Sequence, residues 1–92
     1  MIRSFRNKAL RRFFATGNAR GLSVQDDRRV ARILLALEAA ARPEDLNLPG
    51  YHFHGLTGRG RGRYSDRVTG NWRITFGWND EDATEVDLED YH

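Results

Sequence analysis

The sequence predicts an α+β domain in which two N-terminal helices pack on one face of a small antiparallel β-sheet. Two observations carry this. Apolar residues recur at helical intervals as far as Ala41 and alternate with period two from Tyr51 onward, and Pro43 and Pro49-Gly50 separate the two regimes. At 92 residues the chain fits one domain, residues 1–92, near the lower end of sizes at which a hydrophobic core suffices alone.

Residues 2–5 read as a short first strand, with Ile2 on one side and Arg3 on the other. Residues 8–16 then place Leu10, Phe13 and Phe14 at helical spacing and stop at Gly17, a residue favoured just past a helix end. Ser23 followed by Asp26 resembles a capping box with Asp in place of Glu. Val30, Ile33, Leu34, Leu37 and Ala41 follow at intervals of three, four and seven, so a second helix is expected over about residues 24–41, with Arg28, Arg29 and Arg32 mostly outward. Pro43 ends it.

Four strands are expected at residues 51–56, 63–68, 71–78 and 84–88, with turns at Thr69-Gly70 and around residues 79–82, giving an antiparallel meander. In the third, Trp72, Ile74, Phe76 and Trp78 share one face and Asn71, Arg73, Thr75 and Gly77 the other. The apolar face must meet the helices. By the same parity Tyr51 and Phe53 face the core, as do Val86 and Leu88, while His52 and His54 point away, so the open face collects His54 and Arg73. Asp66 is an anomaly on core parity between Tyr64 and Val68, which a bulge or an edge position could turn outward.

The net charge of +2 hides an asymmetry. All 15 Lys and Arg fall in residues 1–79 with only six of the 13 acids, a charge of +9 for that stretch, and residues 80–92 hold the other seven acids. Fourteen of the 15 are Arg, whose planar fork suits bidentate phosphate contact, so a polyanion is the natural partner. The densest patch is Arg59, Arg61, Arg63 and Arg67, which reads either as an RNA-binding surface or as a flexible glycine-rich loop with Arg for solubility. The glycines at 55, 58, 60 and 62 do not match a phosphate-binding loop between strand and helix, which excludes a nucleoside-triphosphate site.

The chain has no cysteine, hence no disulfide framework and no thiolate metal site. It shows no signal-peptide core, and its most apolar stretch, residues 33–41, contains Glu38 and is too short to span a bilayer. A soluble, cytoplasmic protein with no membrane association is expected.

His54, Arg73 and the run Asp90-Tyr91-His92 together would supply a base, an acid and a cation for cutting RNA. RNA carries its own nucleophile, the 2′-hydroxyl. Cleavage needs that oxygen aligned and deprotonated, the phosphate's developing charge stabilised, and the 5′-oxygen protonated, with no metal or other cofactor. Two other classes stay open on the residues alone. One is a non-catalytic RNA-binding module, for which the basic body suffices. The other is a partner subunit in a DNA-binding repressor complex, since this chain has no recognition helix of its own.

The order Ile2-Arg3-Ser4-Phe5, Lys8-Ala9-Leu10, Arg32-Ile33-Leu34, His54-Gly55-Leu56-Thr57-Gly58, Asn71-Trp72-Arg73-Ile74-Thr75-Phe76 and Asp90-Tyr91-His92 resembles the HigB family of plasmid-maintenance killer toxins, within the RelE-like toxins. The resemblance covers essentially the whole chain. It implies a ribosome-dependent mRNA endonuclease held inactive by a HigA-type helix-turn-helix antitoxin, meeting operator DNA only through that antitoxin. The family's functional positions fall on His54, Arg73, Tyr91 and His92. Arg73 would hold the scissile phosphate, His54 and His92 would form the acid-base pair, and Tyr91 would position the 2′-hydroxyl or stack on a base. One match departs from the pattern: where the family commonly has a basic residue, this chain has the uncharged Thr57.

Overall fold

Leu10, Phe13 and Phe14 give helix α1 (Lys8–Thr16) its apolar stripe, and local hydrogen bonds fix both ends. The Asn7 side-chain oxygen accepts the Leu10 N–H at 3.0 Å, and Gly17 donates its own N–H to the Phe13 carbonyl at 2.8 Å. The structure, a computed structural model, describes residues 1–91. The catalytic candidate His92 lies outside the described residues.

Helix α2 (Asp27–Ala39) starts later than the spacing suggests, because Asp26 is itself the cap and accepts the Arg29 N–H at 3.2 Å. It also ends earlier. Pro43 disfavours helical backbone at Arg42, and the Asp45 carboxylate accepts the N–H groups of Ala41 and Arg42 at 2.8 and 3.3 Å. The Ala41 bond, helped by Arg42, holds the Asp45 carboxyl below its ordinary pKa.

The sheet has the order β1 (His54–Gly55), β2 (Tyr64–Thr69), β3 (Trp72–Asn79), β4 (Asp82–Asp90), each pair antiparallel. The expected strand over residues 51–56 shrinks to two residues, since His52 adopts φ 51° and breaks the extended run. Its parity survives. Tyr51 is buried, Phe53 stacks on the Tyr64 ring with centroids 5.8 Å apart, and His52 and His54 are exposed.

The expected N-terminal strand pairs with β4 in parallel, through Ile2 opposite Ala83 and Phe5 opposite Val86. Strand β4 carries a bulge: Asp87 lies opposite Thr75 but Thr84 lies opposite Gly77, and Glu85 takes up the extra residue at φ 48°. Ala83, Val86 and Leu88 therefore all face the core, although strict alternation would put Ala83 on the other side.

One core joins both layers. Leu10, Val30, Ile33, Leu34 and Leu37 from the helices, Leu46 from a short 3-10 turn (Pro43–Leu46), and Ile74, Phe76, Ala83 and Val86 from the sheet are all buried. Each large apolar side chain so buried contributes roughly 1.5–3 kcal/mol.

Two residues at the edge of this core differ from the sequence reading. Asp66 does not turn outward, because the β2 bulge falls beyond it, between Arg67 and Thr69. Its side chain is fully buried opposite Ile74 with neither carboxyl oxygen hydrogen-bonded, and burial pushes its pKa up to about 7, partly offset by Arg29. Arg29 in turn is not outward-facing. It donates to the carbonyls of Arg67 and Gly50 at 3.1 and 2.7 Å and lies 4.1 Å over the Tyr51 ring. Among the described residues, no helix is long and apolar enough to cross a membrane.

Candidate active site

The strand register aligns His54, Ser65, Thr75 and Asp87 in one row across the sheet, and Arg67, Arg73 and Glu89 in the next. Directly opposed residues share a face, so all seven belong to the side away from the helices. Tyr91 continues the parity two residues past Glu89, its backbone N–H bonded to the Asn71 carbonyl at 2.8 Å. His54 and Arg73 sit on strands once removed from each other and in neighbouring rows, roughly 12 Å apart between Cα atoms.

His54 is exposed on the edge strand, with Nδ1 2.9 Å from the His52 carbonyl. A carbonyl only accepts, so Nδ1 carries the hydrogen and Nε2 is left to take or give a proton. Arg73 is half-buried, and its Nη1 is buried without a hydrogen-bond partner among the described residues. Its cross-strand neighbour is Glu89, where the register at the turn alone would put Leu88, because the bulge at Glu85 adds one residue to β4. The two form no ion pair, for the Glu89 carboxylate accepts a short hydrogen bond from the Thr75 hydroxyl.

Arg63, from the basic patch, is braced within the fold. It lies across the sheet, donating from Nη2 to the Thr75 hydroxyl at 3.2 Å and to the Glu85 carbonyl at 2.7 Å. Gly77 is confined by Thr84, since a Cβ there would come within 2.8 Å of Thr84 Oγ1, while Arg63 Nη1 at 3.7 Å would be in ordinary contact. Burial, with repulsion from Arg6, lowers the Arg63 pKa, while Glu89, Asp87 and Glu85 oppose the shift.

Beside this brace a cleft of about 140 Å³ opens, lined by Arg6, Leu56, Arg59, Gly60, Arg63, Glu89 and Tyr91. It gathers Arg59, Arg63 and Tyr91 from the predicted residues. Arg61, exposed in the loop, and Arg67, half-buried beside Arg73, do not line it. The Tyr91 pKa is raised, by burial first and by Glu89 second, against the opposing effects of Arg63 and Arg73. Its phenol is therefore a hydrogen-bond donor at neutral pH. Arg6 and Glu89 are additions to the set read from sequence. Parity with Asp87 marks Glu89, whereas nothing local marks Arg6, which arrives through the parallel pairing of residues 2–5 with β4.

The chain that builds this sheet face matches a known family. The model for "RelE-like toxin of type II toxin-antitoxin system HigB" covers residues 3–92. The chain belongs to the HigB-like toxin family. It is also 39% identical to the Endoribonuclease HigB of Proteus vulgaris over 92 residues, the full length of both chains. As a member of a type II toxin-antitoxin family it has an antitoxin as its partner. Within this HigB-like toxin the uncharged Thr57 is exposed at the start of the loop after β1, and it is Arg59, two residues on, that reaches the cleft.

Proposed function

We propose that this HigB-family toxin is an endoribonuclease that cuts mRNA on the ribosome by in-line attack of the 2′-hydroxyl, without a metal or cofactor. The observation that supports it is the exposed edge His54 and the incompletely partnered Arg73 on one polar sheet face, with the Tyr91 phenol beyond them. Arg73 holds the scissile phosphate and stabilises the charge that grows on its oxygens. His54 and His92 form the acid-base pair, one removing the 2′-hydroxyl proton and the other protonating the departing 5′-oxygen. Tyr91, a neutral donor, fixes the ribose or stacks on the unpaired base. Arg59, Arg61 and Arg67 supply the wider electrostatic hold on RNA.

A site with so few groups relies on the ribosome to align the strand, which is the reason for ribosome dependence. The antitoxin is of the HigA helix-turn-helix type, the toxin reaches operator DNA only through it, and the pair acts in the cytoplasm. Co-expression with the neighbouring reading frames should then yield a co-purifying small protein.

Primer extension on mRNA programmed into purified ribosomes tests the enzymatic reading, using wild type, Arg73→Ala and His92→Gln, with and without ribosomes. Cleavage only on ribosomes, lost in both variants, is expected. Retention on ribosomes without any cleavage would instead make the protein an RNA binder that acts by occupying its target.

A further inference from the structure

The cleft beside Arg63 holds more positive charge than the protein compensates. Arg6, Arg59 and Arg63 line it, and against them stands Glu89, whose carboxylate is already engaged by Thr75. The guanidinium groups of Arg6 and Arg59 have no hydrogen-bond or ion-pair partner among the described residues, and both side chains are exposed. Arg63 is fixed by its bonds to Thr75 and Glu85, and its Nε is buried without a partner. The loop that carries Arg59 is seated rather than loose. It makes a short 3-10 turn (Gly58–Gly60), and Gly60 packs so closely on Leu56 that a Cβ there would meet the Leu56 Cβ at 2.8 Å.

Converging guanidinium forks, an apolar wall at Leu56 and the Tyr91 ring fit a phosphate with its attached sugar better than a carboxylate or a cation. The cleft also adjoins the row that carries Arg73 and Glu89, through Glu89 and Tyr91. A strand lying over Arg73 would therefore continue into it.

We propose that this cleft is a subsite for a phosphodiester of the RNA strand next to the one that is cleaved, with Arg6 and Arg59 closing on its oxygens. This rests on the endonuclease reading and adds to it a contact from the N-terminal segment. Arg6 is a binding residue in this scheme and touches none of the reacting atoms. Its side chain has no internal hydrogen bond among the described residues, so Arg6→Ala keeps the thermal midpoint of the wild type.

The test is the binding of labelled toxin to ribosomes programmed with an mRNA whose target nucleotides are 2′-O-methylated, so that no nucleophile is present. Arg6→Ala should bind about tenfold more weakly than wild type, and Arg6→Lys should fall between them. Replacing the flanking phosphodiester with a neutral methylphosphonate should weaken wild type by a similar factor or more and Arg6→Ala clearly less, since only the Arg59 contact is left for it to lose. Equal binding by wild type and Arg6→Ala, or equal sensitivity of both to the methylphosphonate, overturns the proposal. A loss on ribosomes without mRNA overturns it too, since the phosphate would then belong to ribosomal RNA. Wild type that binds in this assay but leaves unmodified mRNA uncut defeats the endonuclease reading alone, and the Arg6 result stands.

Discussion

Arg67 and Arg73 stand directly opposite each other on β2 and β3. Like charges so placed oppose the pairing of their strands, and here neither is in an ion pair among the described residues. A fold has no use for this arrangement, but an anion laid across the sheet would relieve it.

Arg73→Ala is accordingly expected to move activity and stability in different directions. Cleavage on programmed ribosomes should fall by about 100-fold or more, as for loss of a donor to a developing oxyanion. Stability in urea should stay level or rise by about 0.2–1 kcal/mol as the cross-strand repulsion is removed. A matching loss of stability would assign Arg73 to the scaffold instead.

His54→Asn keeps a side-chain N–H that can reach the His52 carbonyl but removes the titratable nitrogen. The fold should be unaffected, since His54 is exposed. Single-turnover cleavage should slow by roughly 10²–10⁴, the usual worth of a positioned acid or base. Wild-type rates in this variant would remove His54 from the mechanism.

Asp66 gives the protein an unusual dependence on pH. Its folded pKa of about 7 lies above the unfolded value, so the folded state holds a proton that the unfolded chain releases. Stability contributed by this group is complete below about pH 4, falls between about pH 4 and 7, and is level above that. The change is roughly 4 kcal/mol. Asp66→Asn should abolish the fall, raising the thermal midpoint at pH 8 and leaving it nearly unchanged at pH 4. Parallel pH profiles for the two proteins would show that the buried carboxyl is not the cause.

At the β4 bulge, Glu85 adopts φ 48°, a left-handed conformation that costs a residue with a Cβ about 1–2 kcal/mol. Glu85→Gly should therefore stabilise the protein by roughly 0.5–1 kcal/mol, once the greater freedom of glycine in the unfolded chain is set against the gain. A higher urea midpoint at unchanged slope would show this, whereas a lower midpoint would mean that the Glu85 side chain contributes more than its backbone loses.

The parts of this fold that were legible in the sequence are those written in local periodicity. Trp72, Ile74, Phe76 and Trp78 announce a strand with one apolar face, and counting by two from them and from Tyr51 puts His54 and Arg73 on the same open side. What stayed hidden has no local signature. Glu85 is not a residue type that advertises positive φ, and a single His among aromatic residues marks a break in a strand only weakly, so the register shift of β4 and the shortening of β1 could not be counted in advance. The crossing of Arg63 to Glu85 and the arrival of Arg6 depend on contacts between distant segments. Asp66 defies the expectation that a carboxylate seeks water, and it does so by giving up much of its charge.

The parallel pairing of residues 2–5 with residues 83–86 also sets a schedule. Synthesis delivers one partner well before the other, so the N-terminal segment must wait, unpaired, while the helices and the first three strands of the sheet are made. Until Val86 is free to pair, Arg6 has no fixed place and the cleft it lines does not exist. For a protein proposed to attack translating ribosomes, this delay is a safeguard: the cleft cannot form on a chain that has not yet been extended through Val86.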